Sequence, residues 1–410
     1  MSDLPPQRRT VDDYSGFSRD WPGLEIRLID GISPESVGNV FIGGDVCVAR
    51  ASHPNADMFG DLAAAMRAAQ VAAVNLECPL TRSQASSPKS GPSLAADPSW
   101  ADVLSEAGVD AVGVANNHIM DAGCEGLSET LSACRGAGIA VFGGGMRLQD
   151  ARSAIVLRCG DARVALLAVA EHEFGIAEDN RPGAAPMEMA GTVASVQEAS
   201  AAADAVVVLV HGGCEHYPLP SPRLRDYCHL LVSAGADAVL CQHSHVIGAI
   251  ETVGHAIVSY GSGNLLFPYP GRMPAGWHQG YSLELRVCTQ GLAAARIIPH
   301  RYDTEAGAIR ILAGSEAEEF AESLRRLNAR VADAESLTDE WRQFVLSRRR
   351  QYLATALGLS RPERLAVRLG LWPGWRLPRR LIPELLDVFS CESHNEAMVE
   401  VLTTELSRRG

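Results

Sequence analysis

Between residues 37 and 301 the chain alternates short β-branched runs with Ala-rich segments of helical spacing, an order that restricts it to a layered α/β architecture. Strand candidates fall at 39–42, 71–75, 111–114, 140–142, 164–169, 205–210, 238–241 and 256–259. Segments 126–136, 192–203 and 221–233 read as helices, two of them running into the next strand through Ala-Gly or Gly-Ala turns. Residues 281–287 and 293–299 alternate around Gln290-Gly291 as an antiparallel hairpin. A sandwich of two sheets fits this pattern better than one purely parallel sheet.

The 410 residues exceed what one core commonly fills, so an appendage or second domain is expected. From 304 the composition turns to Ala, Glu, Leu and Arg, with helical spacing over 316–332 and 339–357. The expected division is an N-terminal extension (1–36), the α/β domain (37–303) and a helical C-terminal appendage (304–410). In the appendage, Arg348, Arg349, Arg350, Arg379 and Arg380, with Trp372 and Trp375 nearby, are either a solvated helix face or a peripheral contact with a membrane or partner protein. The Ser-rich stretch 83–93 is expected to be a mobile loop.

A net charge of -13 argues against a general nucleic-acid binder, which needs a basic face. No apolar run reaches the roughly 18 residues that span a bilayer, and residues 1–23 are polar and Pro-rich, so a cytoplasmic protein is expected. The 10 cysteines are scattered singles without a Cys-x-x-Cys pair, the pattern of reduced, buried thiols. Two of them, Cys47 and Cys214, lie inside chemically suggestive motifs.

Those motifs are Gly43-Gly44-Asp45, Asn75-Leu76-Glu77-Cys78-Pro79, Ala115-Asn116-Asn117-His118, His211-Gly212-Gly213-Cys214-Glu215 and Gln242-His243-Ser244-His245. Each follows an apolar strand candidate, where loops at the carboxyl ends of strands aim side chains at a common point. Carboxylate, amide and imidazole together are the ligands of a divalent metal. Singly each motif is weak, since a lone His at a strand end is more often structural. The His243/His245 spacing is stronger, because residues two apart on an extended backbone share a side.

Order and spacing across 39–301 resemble the capsule and poly-γ-glutamate biosynthesis proteins related to CapA, which stand near the calcineurin-like metallophosphoesterases. The resemblance rests on Gly44-Asp45, on Asn75-Leu-Glu-Cys-Pro-Leu-Thr81 and on Ala115-Asn-Asn-His-Ile-Met-Asp-Ala-Gly-Cys-Glu-Gly-Leu127. It continues through His211-Gly-Gly-Cys-Glu215, Ala234-Gly-Ala-Asp-Ala-Val239, His243-Ser-His-Val246 and Tyr260-Gly-Ser-Gly-Asn264. It implies a calcineurin-like metallophosphoesterase-type α/β sandwich of two sheets flanked by helices.

The resemblance also implies two divalent ions, manganese, zinc or iron, bridged by Glu77 and held by Asp45, Asn117, His211, His243 and His245. His118 would be the general acid, with Asp121 as its partner, although Asp121 is equally placed to cap the helix that follows. Cys47 stands where the wider superfamily has a histidine ligand and would fill or tune that metal position. Gly212 stands where the family has a tryptophan, which would open the pocket. Asn116, Glu215, His216 and Asn264 are candidates for substrate contact or for orienting ligands. His216 and Tyr217 could equally pack under the turn at 218–222. The implied activity is hydrolysis of a phosphoester, or of an ester or amide in an anionic polymer or glycan precursor. A non-catalytic, glycan-binding accessory protein is the alternative.

Overall fold

A computed structural model of the chain describes residues 25–29, 37–51, 53–271, 273–356, 358–369, 371 and 381–409. Its strands are β1 (Glu25–Arg27), β2 (Gly38–Val46), β3 (Val71–Leu76), β4 (Ala111–Gly113), β5 (Ala140–Phe142), β6 (Gly144–Gly145), β7 (Ile155–Cys159), β8 (Ala162–Ala170), β9 (Gly183–Ala184), β10 (Ala205–His211), β11 (Ala238–Gln242), β12 (Ile250–Val253), β13 (Ala256–Ser259), β14 (Asn264–Leu266), β15 (Gln279–Cys288), β16 (Gly291–Asp303) and β17 (Ala308–Ile311). The helices between them are α1 (Gly60–Ala68), α2 (Trp100–Ala107), α3 (Gly123–Gly136), α4 (Leu148–Arg152), α5 (Met189–Ala202), α6 (Pro222–Ala234) and α7 (Ser315–Val331).

Two sheets form. The first runs β1-β16-β15-β2-β3-β4-β5, with β14 also on β2 and β17 on β16; the second runs β12-β13-β11-β10-β8-β7. Strands β2 to β5 are mutually parallel, as are β8, β10, β11 and β13. Antiparallel strands lie toward the edges, including the β15–β16 hairpin. The expected α/β sandwich of two sheets flanked by helices is therefore what the chain forms.

Every residue of β3 and β10 is buried, which is why these runs read as continuously apolar. The two sheets pack closely enough that a Cβ at Gly113 of β4 would lie 3.0 Å from the Leu209 side chain of β10. Local chemistry starts and stops α6. Ser221 accepts a hydrogen bond from the Leu224 amide at 3.2 Å, Pro222 opens the helix, and Gly235 closes it at φ 118°.

Two compact units divide the chain, Met1–Leu337 and Thr338–Gly410. The break thus falls inside α8 (Ala334–Ser347), later than the compositional change at 304. The reason is packing around β15. Fully buried Tyr281 donates or accepts a 2.7 Å hydrogen bond with Ser259 of β13, and its ring meets Phe320 of α7 with centroids 6.0 Å apart. Asn328 of α7 also accepts from the Ile250 amide of β12 at 2.8 Å. The second unit is helical: the rest of α8, then α9 (Arg349–Ala356), α10 (Arg361–Arg368), α11 (Leu381–Ser390) and α12 (Glu392–Arg409). The single helix expected over 339–357 is interrupted by a turn at Arg348. Trp372, Trp375, Arg379 and Arg380 lie outside the described residues. Among the described residues, no helix is long and apolar enough to cross a membrane.

Phe320 seals α7 onto the sandwich, and replacing a buried phenylalanine by alanine costs about 3–5 kcal/mol. Phe320→Ala is expected to lower the unfolding free energy by that amount in chemical denaturation. A loss below about 1 kcal/mol would place α7 outside the core of the first unit.

Candidate metal centre

All five motifs sit at the carboxyl ends of parallel strands: Asp45 in β2, Glu77 after β3, Asn117 and His118 after β4, His211 closing β10, and His243 and His245 after β11. Asp45 owes its aim to an irregularity. Between the pairs Ile42↔Ala73 and Asp45↔Asn75, β2 holds one more residue than β3, a bulge occupied by Gly43-Gly44. A Cβ at Gly44 would lie 2.3 Å from the Gly263 carbonyl oxygen, so only glycine lets β14 approach there.

Two sets of side chains converge. Glu77, His211 and His243 offer ligand atoms all within 4.8 Å of one another, as do Asp45, Glu77 and His245; Glu77 belongs to both. Its Oε1 is 3.7 Å from His211 Nε2 and 3.8 Å from His245 Nε2. Asn117 joins the first set, its Oδ1 lying 3.2 Å from His211 Nε2, and His243 Nδ1 lies 3.2 Å from the same nitrogen. His243 and His245 converge by a route other than the expected extended clip. Both have positive φ, 89° and 55°, so a tight left-handed turn beyond β11 presents them.

Amide side chains fix the ligands. Asn116 Nδ2 donates to Asn75 Oδ1 at 3.2 Å, which turns the Asn75 amide so that its Nδ2 donates to Asp45 Oδ1 at 2.8 Å. Asn264 Nδ2 donates to the Trp277 carbonyl at 2.9 Å, leaving its Oδ1 to accept from His245 Nδ1 at 2.9 Å. That bond leaves His245 Nε2 as the free ring nitrogen facing Glu77. Asn117 Nδ2 donates to Glu173 Oε2 at 2.6 Å, which aims Oδ1 at His211. Asn116 and Asn264 thus orient residues of the two sets, whereas Glu215 is exposed and acts on Glu77 through its charge. The His216 ring lies beside His245 and Trp277, with centroids 6.4 and 6.1 Å away.

His118 Nδ1 lies 2.7 Å from Asp121 Oδ2. Asp121 does not cap α3, whose N-cap position is Ala122. Residues 83–93 do form a loop, but one pinned to the site: the Ser87 amide donates to the Asp121 carbonyl at 2.9 Å and Lys89 Nζ to Asp121 Oδ1 at 2.6 Å. Cys47 stands apart from both ligand sets. Burial and a hydrogen bond with Cys78 push its thiol well above the usual range, and it packs in the hydrophobic core beside Glu77's neighbour Cys78. Glu171, His172 and Glu173, a polar cluster at a strand end that the sequence offers as substrate-side candidates, lie beside the site, whereas Lys89 and Asn75 are site residues that sequence reasoning passed over. The clearest available signal was Lys89, the sole lysine in the chain.

Beside the first ligand set opens a cavity of about 300 Å³, lined also by Glu171, His172, Glu173 and Gly212. A Cβ at Gly212 would meet the Glu171 side chain at 2.8 Å, so a larger residue there would displace that wall.

Electrostatics test whether a cation fits. Both carboxylate oxygens of fully buried Glu77 lack a hydrogen-bond partner. Burial, and then the charge of Asp45, push the Glu77 carboxyl well above its ordinary range, while burial pushes Asp45 up to about 6. Burial pushes His211 well down and His245 down to about 3, with neighbouring histidines adding to both. Every shift favours the neutral form, the pattern expected when a cation would supply the missing compensation.

A two-sheet α/β sandwich whose strand ends gather carboxylate, amide and imidazole groups that could hold a metal ion defines the class of protein. Within that class, the chain belongs to the bacterial capsule synthesis protein PGA_cap family, whose sequence model matches residues 36–269. It is 30% identical over 170 residues to the "Capsule biosynthesis protein CapA" of Bacillus anthracis, covering 40% of this chain and 41% of that one. It is 32% identical over 187 residues to a "Probable polyglutamine synthesis accessory protein" of Mycobacterium tuberculosis, covering 42% and 48%. The matched stretches span less than half the length of these curated relatives. The fold is also similar, at TM-score 0.44 and 11% identity, to a crystal structure described as a novel phosphatase from Mycoplasma pneumoniae, over 66% of this chain and 96% of that one.

Because Asp45 and Glu77 hold protons above the ordinary carboxylate range, a metal must displace those protons at low pH, and affinity should rise as pH climbs through about 6. In the metal-free protein the raised carboxyl of Asp45 contributes stability below its unfolded value that is lost as pH rises through about 6. The depressed His245 contributes stability above its unfolded value that is lost as pH falls toward about 3. The thermal shift produced by Mn²⁺ is therefore expected to be larger at about pH 8 than at about pH 5, with proton release on binding measurable by calorimetry in buffers of different ionisation enthalpy. A shift independent of pH would mean that these carboxyls are not displaced.

Proposed function

We propose that the chain is a metal-dependent hydrolase of capsule or polyglutamate biosynthesis. The observation that carries this reading is Glu77, a buried carboxylate with two unpartnered oxygens shared by two ligand sets. Asp45, Glu77 and His245 would hold one ion; Glu77, Asn117, His211 and His243 would hold the other. Oxygen and imidazole donors without a thiolate suit manganese, zinc or iron. Bound there, divalent ions would polarise the scissile oxygen and bring the pKa of a coordinated water toward about 7.

The remaining work falls to the chain's own side chains. Asp121 holds the His118 ring at Nδ1, which leaves Nε2 as the edge able to hand a proton to a leaving oxygen or nitrogen. The cavity walled by Glu171, His172 and Glu173 would receive the substrate beside Asn117 and His211. A phosphoester, or an ester or amide within an anionic polymer or glycan precursor, is the proposed substrate class. The helices of the second unit, with Leu365, Leu369 and Phe389 exposed, are proposed to make peripheral contact with a membrane or partner protein. A second reading, a non-catalytic accessory protein, is favoured by the name that the mycobacterial relative bears.

His118→Asn separates these readings. It is expected to keep its metal, measured by elemental analysis, and to lose turnover by a factor of about 10² to 10⁴ across phosphomonoesters, phosphodiesters and γ-glutamyl amides. Loss of metal instead would make His118 a ligand. A metal-loaded wild-type protein that turns over none of these substrates would establish the accessory reading.

A further inference from the structure

Of the 36 lysine and arginine residues in the chain, a single one is lysine, at position 89. It sits in a loop, where a basic side chain would ordinarily reach solvent, yet its side chain is only 4% exposed. Nζ donates to Asp121 Oδ1 at 2.6 Å and to the Asn117 carbonyl at 2.9 Å, and it lies 5.3 Å from the centre of the Phe174 ring. It is also 3.2 Å from His118 Nδ1. Both His118 and Lys89 approach the same carboxylate, since Asp121 Oδ2 lies 2.7 Å from His118 Nδ1 and accepts the Leu94 amide at 2.8 Å.

We propose that Lys89 is a positioning residue of the metal centre, tying the backbone of Asn117 to the carboxylate that holds His118. The inference rests on the metal-centre reading of the site. Asn117 is thereby gripped twice, at its carbonyl by Lys89 and at its side-chain amide by Glu173, and its Oδ1 is left facing His211. His118 is gripped through Asp121. One ammonium thus sets the spacing between the proposed ligand and the proposed acid, which are adjacent in sequence. Arginine cannot take this place: a guanidinium carries five N–H donors on a planar fork, and the slot offers two oxygen acceptors and one aromatic face. A composition that otherwise uses only arginine as its long basic residue therefore departs from that habit at one buried point.

The test uses the full chain and Mn²⁺ alone. Groups that orient metal ligands typically contribute about 10- to 100-fold in affinity, so Lys89→Ala is expected to weaken Mn²⁺ binding by that factor in calorimetry. Butylamine, which refills the space and the charge, is expected to restore affinity, whereas butanol is not. Unchanged affinity, or equal rescue by butanol, would overturn the proposal while leaving the metal centre intact. Absence of Mn²⁺ binding by the wild-type protein would overturn the metal-centre reading and this proposal with it. Should Lys89→Ala not fold, the wild-type protein labelled with ¹⁵Nζ-lysine carries one side-chain ammonium resonance. That resonance is expected to broaden beyond detection with Mn²⁺ and to survive Zn²⁺; a resonance untouched by Mn²⁺ would sink the proposal.

Discussion

A carboxylate taken out of water without a partner is among the most costly things a fold can contain, and Glu77 is such a group. It lies at the end of a fully buried strand, flanked by Asp45 and faced by imidazoles that burial also keeps neutral. A positive charge at the centre of the cluster would supply the compensation it lacks. The strands that carry the neighbours come from both sheets, β2 to β4 on one side and β10 and β11 on the other. The sandwich is what lets six side chains spread over about 200 positions meet around one point.

Amides do the fine adjustment. Asn75, Asn116, Asn117 and Asn264 each use one end of the side chain to fix their own orientation and the other to address a ligand or a ligand's neighbour. Neutral groups suit this role because they direct lone pairs without adding to the charge already buried. The left-handed turn at His243 and His245 serves the same end by a different means, accepting backbone strain so that two rings face the cluster from one short segment.

Much of this was legible in the sequence because it is written in periodic or ordered signals. Apolar runs at 71–75 and 205–210 mark strands buried on both faces, and the parallel core follows from their alternation with helices. The polar motifs behind those runs name most of the residues that converge. What escaped lacks a period. The turn geometry of His243 and His245 depends on φ, which residue type alone does not fix. The edge strands β7, β12 and β17 are short and half exposed, so their alternation is faint. The bonds that Asn75 and Glu173 make to partners 30 and 56 positions away exist only after folding. The place of Cys47 beside Cys78, outside both sets of converging side chains, is likewise visible only once the chain is folded.

The single buried lysine has a practical side. Apart from any terminal amine, the folded chain offers reagents that acylate or glycate amines one target, and that target is shut behind the loop carrying Ser87 and Leu94. Uptake of such a label at Lys89 therefore counts how often this loop lifts away from Asp121. The molecule carries its own clock for the opening of one segment, readable without placing any foreign probe in it.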